Sequence, residues 1–481
     1  MVDAPGPPIG RNRRQILVVK ARIESIFHDQ RYGLAYLKRI ATGLNSSQDA
    51  LAEALPPLSA QEAIVEANRC LFCYDAPCTH ACPTHIDIPR FIGKIVTENL
   101  TGSARTILES NLLGATCARV CPVQELCEGA CVLGKDHKPI MIGRLQRYAM
   151  DHLHGDIARM LRIAPSTGKK VAIIGAGAAG LSCAGELAKA GHSVTLFERR
   201  PMPGGLSTYG IIALREPVDV ALAEVEMIRQ LGVQIETGIQ VGRDIAFNEL
   251  QARFDAVFLS AGLGATPSLN IPGQEYVLDG LDYIERSKID RQSLSIGRQV
   301  AVIGAGNTAI DCATVAARLG AERVTIIYRR TQTEMTAYPH EYEFIRKEGV
   351  DFRFLTQPVR ILHDGANVIG IECLRMSLSE PDETLRPRPR PIAGSEFTIA
   401  ADQVVKAIGQ QKPSLIALLA LDSVRGYVKV NSEFETSLAG VYAGGDCIRS
   451  SGSASTVMAV QDGKLAARAI HQRLMAREER S

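Results

Sequence analysis

The chain has 481 residues, enough for about three domains at roughly 150 residues each. Lys plus Arg (54) nearly cancels Asp plus Glu (52), and the resulting +2 gives no electrostatic reason to expect nucleic acid or anionic lipid as a partner. With 46% hydrophobic and 22% charged residues, the composition supports real cores and excludes a mainly disordered chain.

The start, Met1 to Gln15, carries Pro and Arg and no apolar stretch of signal-peptide length; Arg11 to Arg14 reads as a solvated basic segment. The apolar run Val171 to Gly185 is broken by four glycines and is too short to span a bilayer. A cytoplasmic protein is expected. Residues 1–165 read as helical and cysteine-rich with little strand pattern. Ser59-Ala60-Gln61-Glu62 forms a capping box ahead of apolar Ile64 and Val65.

Eight of the 12 cysteines fall between Cys70 and Cys131. In a secreted domain so dense a set would suggest disulfides, but a long chain without a leader pattern favours metal or cluster ligation. The spacing is Cys70-x2-Cys73-x4-Cys78-x3-Cys82-Pro83, then Cys117-x3-Cys121-Pro122-x4-Cys127-x3-Cys131. Short Cys spacings with Pro directly after a ligand are those of iron–sulfur cassettes, in which thiolates from distant stretches complete each cluster. Tetrahedral zinc is the competing structural role. Spacing alone proposes four plus four cysteines, with Cys117 included. Cys183, Cys312, Cys373 and Cys447, scattered downstream, read as buried non-ligands.

From Ala164 to Lys170 the composition shifts to Pro, Ser, Gly and Lys, a linker. An internal repeat comes next: Val171-Ala-Ile-Ile-Gly-Ala-Gly-Ala-Ala-Gly180 is echoed by Val300-Ala-Val-Ile-Gly-Ala-Gly-Asn-Thr-Ala309. Each copy continues as a helix pattern, a glycine turn and a second strand (Ser193 to Phe197; Arg323 to Tyr328), which makes two βαβ dinucleotide modules. Gly175 permits the tight turn, Gly177 lets backbone approach a pyrophosphate, and Gly180 lets the helix pack closely on the sheet. The diphosphate would sit against free N–H groups at the positive helix end. Glu198 ends the second strand of the first copy, where a carboxylate accepts from ribose hydroxyls. The second copy has Tyr328 there, followed by Arg329 and Arg330, two guanidinium groups able to hold a 2′-phosphate. Since Arg199 and Arg200 also follow the acid, NADH against NADPH stays open. Near the C-terminus, Thr436 to Asp446 reads as a short strand ending in Gly-Asp, and Ser455 to Leu474 as a helix.

Gly445-Asp446 resembles the second FAD fingerprint of two-dinucleotide-domain flavoproteins, and Pro203-Gly204-Gly205-Leu206 resembles their flavin-side loop. Val257 to Gly264 and Val404 to Gly409 resemble their crossovers between domains. That resemblance implies FAD contacts at Gly175, Ala176, Gly177, Ala178, Ala179, Gly180, Glu198, Arg199, Gly205, Leu206, Val241, Gly445, Asp446 and Thr456. It implies NAD(P)H contacts at Gly304, Ala305, Gly306, Asn307, Thr308, Arg329, Arg330, Ala407, Ile408 and Gly409. A helix beginning near Thr456 would point its positive end at the flavin.

Asp75-Ala-Pro-Cys78, Cys82-Pro-Thr-His-Ile-Asp-Ile-Pro89 and Ile142-Gly-Arg-Leu-Gln-Arg147 resemble the electron-input part of the dihydropyrimidine dehydrogenase family, in particular its two-subunit bacterial form. The chain is also similar to the small subunit of bacterial glutamate synthase. The resemblance covers nearly everything beyond the first 50 residues. It implies two [4Fe–4S] clusters, one on Cys70, Cys73, Cys78 and Cys131, the other on Cys82, Cys121, Cys127 and the amide oxygen of Gln146. Cys117 would then be a spare thiol. The implied α/β architecture is a helical iron–sulfur domain (1–165), an FAD domain in two parts (168–290 and 410–481) and an inserted NAD(P) domain (291–409).

The function so implied is conversion of the two electrons of NAD(P)H hydride, through FAD, into single electrons for the clusters. No side chain is expected to act as acid or base. A pyrimidine-reducing (β/α)8 barrel needs about 250 residues, for which there is no room. Uracil or thymine would therefore be reduced on an FMN-containing partner subunit. The alternatives are a glutamate synthase small subunit or relative feeding another acceptor, and a zinc-stabilised or cluster-sensing interaction module. A disulfide reductase of thioredoxin-reductase type would need a C-x-x-C in the second module, where Cys312 stands alone.

Overall fold

The computed structural model describes residues 50–153, 157–381, 387–449 and 455–478. The start from Met1 to Gln15, with Arg11 to Arg14, lies outside these residues. The chain divides into two compact units, 1–52 and 53–481, and every described helix and strand belongs to the second.

The N-terminal part of that unit is built from α1 (Ala60–Ala67), α2 (Pro77–Ala81), α3 (Ile88–Val96), α4 (Leu100–Ser110), α5 (Gly114–Val120), α6 (Ile142–Asp151) and α7 (Ile157–Met160). No described residue before Lys170 lies in a strand. Three of these helices, α1, α3 and α4, are started by a side chain that satisfies one of the orphan N–H groups. Ser59 accepts from Glu62 N at 3.2 Å while Glu62 takes the Ser59 N–H at 2.8 Å, the reciprocal box read from the sequence. Asp87 accepts from Arg90 N at 3.1 Å and Asn99 from Gly102 N at 2.9 Å. Ile88, Phe91, Ile92 and Ile95 fall at helical spacing on one face of α3 and are all buried in one core with Ala104, Ile107 and Leu108 of α4 and Leu145 of α6. Each such side chain contributes about 1.5–3 kcal/mol by leaving water.

Beyond the linker come β1 (Lys170–Ile174), α8 (Ala178–Lys189), β2 (Ser193–Glu198), α9 (Leu206–Tyr209), α10 (Val218–Gln230), β3 (Gln234–Thr237), α11 (Phe247–Arg253) and β4 (Ala256–Leu259). The second repeat supplies β5 (Leu278–Asp279), α12 (Gly280–Ile289), β6 (Gln299–Ile303), α13 (Asn307–Arg318), β7 (Arg323–Ile327), α14 (Pro339–Lys347) and β8 (Asp351–Arg353). Strands β9 (Thr356–His363), β10 (Val368–Pro381), β11 (Pro387–Pro391), β12 (Phe397–Ile399) and β13 (Gln403–Lys406) come after it. The chain ends through α15 (Leu415–Leu418), β14 (Ser423–Val424), β15 (Tyr427–Val428), β16 (Val441–Ala443) and α16 (Thr456–Glu478).

Two parallel sheets result, ordered β16-β4-β1-β2-β3 and β5-β13-β6-β7-β8. Central strands such as Val171–Ile174 and Val300–Ile303 are buried throughout because both faces are covered, which accounts for their unbroken apolar runs. Because β16 returns to pair with β4, the first dinucleotide domain is discontinuous and the second is inserted into it. The second sheet starts earlier than the expected boundary at 291: Leu278 pairs with Val405, on a strand two residues long that no alternation pattern could reveal. Also unanticipated is the antiparallel group in which β10 pairs with β9, β11 and β12.

Buried polar contacts join the N-terminal helices to the first dinucleotide domain. Glu224 of α10 accepts from Ala115 N at 2.6 Å and Thr116 N at 3.2 Å, and burial pushes its carboxyl up to about 8. Thr116 Oγ1 donates to Glu216 at 2.5 Å. Lys464 of α16 donates to the carbonyls of Thr84 (3.1 Å) and Ser110 (2.8 Å). No described helix is long and apolar enough to cross a membrane.

Candidate functional site

The cysteines converge in two groups. Cys70, Cys73, Cys78 and Cys131 line one pocket, walled otherwise by apolar residues including Ile88, Ile92 and Ile142. Cys82, Cys117, Cys121 and Cys127 line a second, together with Gln146, Asn111 and Val457. The chain crosses between them twice, since Cys78 and Cys82 lie at either end of α2 and Cys127 and Cys131 lie one short turn apart. Burial raises the thiols of Cys70, Cys78 (to about 11) and Cys127; Cys121 is raised first by its hydrogen bond with Cys117. Such thiols ionise only beside strong positive charge, which a metal provides.

Among the described residues no three His, Cys, Asp or Glu side chains close in enough to hold one metal ion. Four sulfurs at about 2.3 Å from one zinc would have to crowd together. Four cysteines around each pocket supply the thiolate set that an iron–sulfur cluster takes. In the second pocket both candidates for the fourth ligand are present. Gln146 Nε2 donates to Gly114 O at 2.7 Å, so Oε1 is the end of the amide that could serve a ligand, while Cys117 is 2% exposed and hydrogen-bonded with Cys121.

The first glycine loop has the shape required for a diphosphate. Gly175 has φ +102°, and a Cβ there would meet Ser260 O at 2.5 Å. A Cβ on Gly177 would meet nothing within 4 Å, so open space lies where a ligand backbone approaches the start of α8. Ala176, Ala179 and Gly180 are buried beneath the loop and Ala178 half-buried at the helix start. Gly205 packs so closely that its Cβ would lie 2.7 Å from Gly177 Cα; Leu206, beside it, is exposed. Glu198 is buried, its carboxylate accepting from Ala176 N (2.9 Å) and Arg200 N (2.8 Å), so it braces the loop; Arg199 is exposed. Val241 is buried in a local bridge with Ile245. Gly445 and Asp446 follow β16, with Gly445 N held by Asp462 at 3.0 Å, and burial raises the Asp446 carboxyl. Thr456 is the first residue of α16.

The second loop repeats the geometry: Gly304 has φ +128°, and its Cβ would meet Ala407 O at 2.1 Å. Gly306 caps α13, which opens with Asn307 and Thr308. Ala305 O accepts from Thr336 N and Ala337 N, both at 3.3 Å, and Asn307 Oδ1 from Tyr338 N at 3.3 Å. Ala407, Ile408 and Gly409 leave β13 beside this loop, Gly409 at φ +93°. The two arginines do not share a surface. Arg329 is exposed, whereas Arg330, in the bend that follows β7, is buried with Nε on Pro387 O at 2.9 Å. Cys183, Cys312, Cys373 and Cys447 are all buried away from both cysteine pockets.

Sequence reasoning missed Asn111 and Val457 in the second pocket and Thr84, whose Oγ1 lies 3.4 Å from Cys82 Sγ. It also missed Arg215, whose guanidinium bonds Asp311 at 2.8 Å and Glu341 across the two dinucleotide domains. None of these belongs to a spacing pattern.

Two parallel dinucleotide sheets, one inserted in the other and preceded by paired cysteine pockets, define an iron–sulfur flavoprotein that uses a nicotinamide nucleotide. Residues 169–463 match the pyridine nucleotide-disulphide oxidoreductase family, and residues 47–156 match the domain described as dihydropyrimidine dehydrogenase domain II, 4Fe-4S cluster. The chain belongs to the pyridine nucleotide-disulphide oxidoreductase family and binds FAD, NAD(P)H and 4Fe–4S. It is 37% identical over 83% of its length to the NADP(+)-dependent formate dehydrogenase subunit beta of Moorella thermoacetica, of which it spans only 60%. The NAD-dependent dihydropyrimidine dehydrogenase subunit PreT of Escherichia coli K12 is 35% identical, with 89% of this chain and 98% of the relative covered. The glutamate synthase [NADPH] small chain of Halomonas elongata is 36% identical, with 87% and 92% covered. Among solved structures, Mycobacterium tuberculosis FprA in complex with NADPH shares the fold, at TM-score 0.55 and 19% identity over 66% of this chain and 86% of that one.

Proposed function

We propose that the chain is the electron-input subunit of a dihydropyrimidine dehydrogenase. It takes electron pairs from NAD(P)H and delivers single electrons to an FMN-containing partner that reduces uracil or thymine. Bound FAD and two [4Fe–4S] clusters would supply the two-to-one electron conversion. The chain's own work is placement. Gly177 and Gly306 open the two loops to phosphates, Glu198 braces the first, and Cys70, Cys73, Cys78, Cys131 and Cys82, Cys121, Cys127, Gln146 hold the clusters.

The observation that carries this reading is a shared wall. Val457 lines the Cys82 pocket, and its neighbour Thr456, a flavin contact by family resemblance, is the first residue of α16, so a single helix end would border both groups. The match to PreT over almost its whole length supports the pyrimidine reading. Similarity to a glutamate synthase small chain over 92% of that relative supports a second, in which the acceptor is a large amidotransferase subunit.

The test is anaerobic purification from the native cells, with FAD, iron and acid-labile sulfide measured and copurifying chains identified. The isolated chain is expected to oxidise NAD(P)H with an artificial acceptor and to leave uracil untouched, with uracil reduction appearing once a barrel-sized FMN partner is added. Uracil reduction by the chain alone would overturn the proposal, and glutamine-dependent activity with a very large partner would establish the second reading.

A further inference from the structure

The second cysteine pocket contains a polar group that the protein leaves unused. Asn111 follows α4, is 0% exposed, and lines the pocket with Cys82, Cys117, Cys121, Cys127 and Gln146. Its amide is oriented by a local bond: Leu113 N donates to Oδ1 at 2.9 Å, a side-chain cap across the turn into α5. With Oδ1 engaged, the other end of the amide is Nδ2, and this donor has no acceptor in the protein. Flipping the amide would face its N–H groups toward the Leu113 N–H, donor against donor. A buried donor without a partner costs about 1–3 kcal/mol, and one that belongs to a pocket-lining side chain is relieved when a bound group supplies the acceptor.

The neighbouring polar groups already have uses. Gln146 Nε2 is spent on Gly114 O, and the Lys464 ammonium on the carbonyls of Thr84 and Ser110. The first pocket differs: apart from its four cysteines, the side chains lining it are apolar, among them Leu71, Ile88 and Leu133. Only the second pocket therefore presents a side-chain amide donor from its described lining.

We propose that Asn111 Nδ2 donates a hydrogen bond to sulfur of the cluster held in the Cys82 pocket and raises that cluster's reduction potential. The inference rests on reading this pocket as a [4Fe–4S] site. Cluster sulfides and thiolates are acceptors, and hydrogen bonds to them are among the determinants of potential. The reduced cluster carries one more negative charge and accepts more strongly, so a fixed donor favours the reduced state. Asn111 is thus a positioning and tuning residue, not a ligand.

The experiment compares wild type with Asn111→Leu and Asn111→Ala as anaerobically reconstituted holoproteins. Iron and sulfide are counted, and both clusters are titrated with EPR detection. The expected result is full iron content and a selective change in one cluster. At the wild-type midpoint its reduced-to-oxidised ratio falls about tenfold, equivalent to about 59 mV for a one-electron couple, while the other cluster does not move. The smaller alanine serves should leucine disturb folding. Unshifted midpoints for both clusters overturn the inference, as does an equal shift of both, which would indicate a general structural disturbance. Wild-type protein with iron for one cluster only would overturn the pocket assignment beneath it, a distinct failure visible before any variant is compared.

Discussion

Gly180→Ala should impair FAD binding more than it impairs folding. A Cβ at this third position of α8 would lie 2.0 Å from Gly175 O and 2.6 Å from Ser260 Oγ. Carbon–oxygen contacts settle at about 3.3–3.6 Å, so helix and loop must separate by roughly 1 Å or more. The loop resists, because Gly175 turns at φ +102°, donates to Phe197 O at 2.9 Å and accepts from Ser260 Oγ at 2.8 Å. Overpacking of this kind costs about 1–3 kcal/mol, offset by about 1 kcal/mol from alanine's better helix propensity. A net loss of about 1.4 kcal/mol, expressed in the loop that must meet the diphosphate, is a tenfold weaker Kd. The second repeat supplies the control. Ala309 stands at the matching position, already carries a Cβ and is fully buried, so Ala309→Gly should leave FAD affinity unchanged. The assay is FAD titration into deflavinated protein, followed by fluorescence, alongside thermal unfolding. Wild-type FAD affinity and Tm in Gly180→Ala would refute the steric argument.

Two further outcomes separate alternatives within the sites. Gln146→Ala is expected to reduce iron from about eight toward about four per chain, while Cys117→Ala keeps both clusters; iron loss in the cysteine variant alone would make Cys117 the ligand. Asp462 is buried, holding Gly445 N at 3.0 Å and Arg449 at 2.6 Å, and burial raises its carboxyl from 3.8 to about 6. The folded state therefore binds the proton more tightly than the unfolded state. Its stabilising contribution is complete below about pH 4 and is lost as pH rises through about 6, a change on the order of 3 kcal/mol. Denaturant unfolding between pH 4 and 7 should show wild type losing stability relative to Asp462→Asn, and a pH-independent difference would refute the assignment.

Legibility in the sequence depends on which interactions leave a periodic trace. Gly175, Gly177 and Gly180 are legible because a tight turn, an approaching ligand and a close helix each exclude a Cβ at a fixed offset. Val171–Ile174 is legible because a strand covered on both faces has no polar positions. The cysteines announce a metal group and spacing proposes four plus four, as the two pockets hold, yet which four line each pocket depends on how α2 and the 121–131 segment cross. Gln146 enters only through family resemblance, since one glutamine in a helix resembles any other. Strand β5, two residues long, carries no period, and the proline-rich β11 argues locally against a strand although it pairs with β10 at the sheet edge. Asn111, and the bond that holds Arg330 to Pro387 O, were beyond reach because both depend on backbone partners that only the fold brings together.

The placement of α16 explains why the iron–sulfur and flavin sites are built as one piece. Its Gly463 sits where a Cβ would be 2.1 Å from Ala179 O, so α16 and α8 touch backbone to backbone and cannot slide without collision. One residue on, Lys464 spans to Thr84 O and Ser110 O, in the segments that carry Cys82 and Asn111. A buried ammonium with two carbonyl partners is costly to release, since removal from either would leave charge unsatisfied in a low dielectric. Val457, near the start of the helix, forms part of the Cys82 pocket itself. The helix is thus fixed to the nucleotide loop on one side and to the cysteine module on the other. Groups that exchange electrons need a short and constant separation, held by rigid elements rather than by loops. The inserted domain meets this core through a further buried charge cluster, Arg215 with Asp311 and Glu341, whose separation would likewise leave charge without a partner. The junction between the nucleotide loop and the cysteine module is therefore fixed twice, by a backbone approach that only glycine permits and by a buried ammonium.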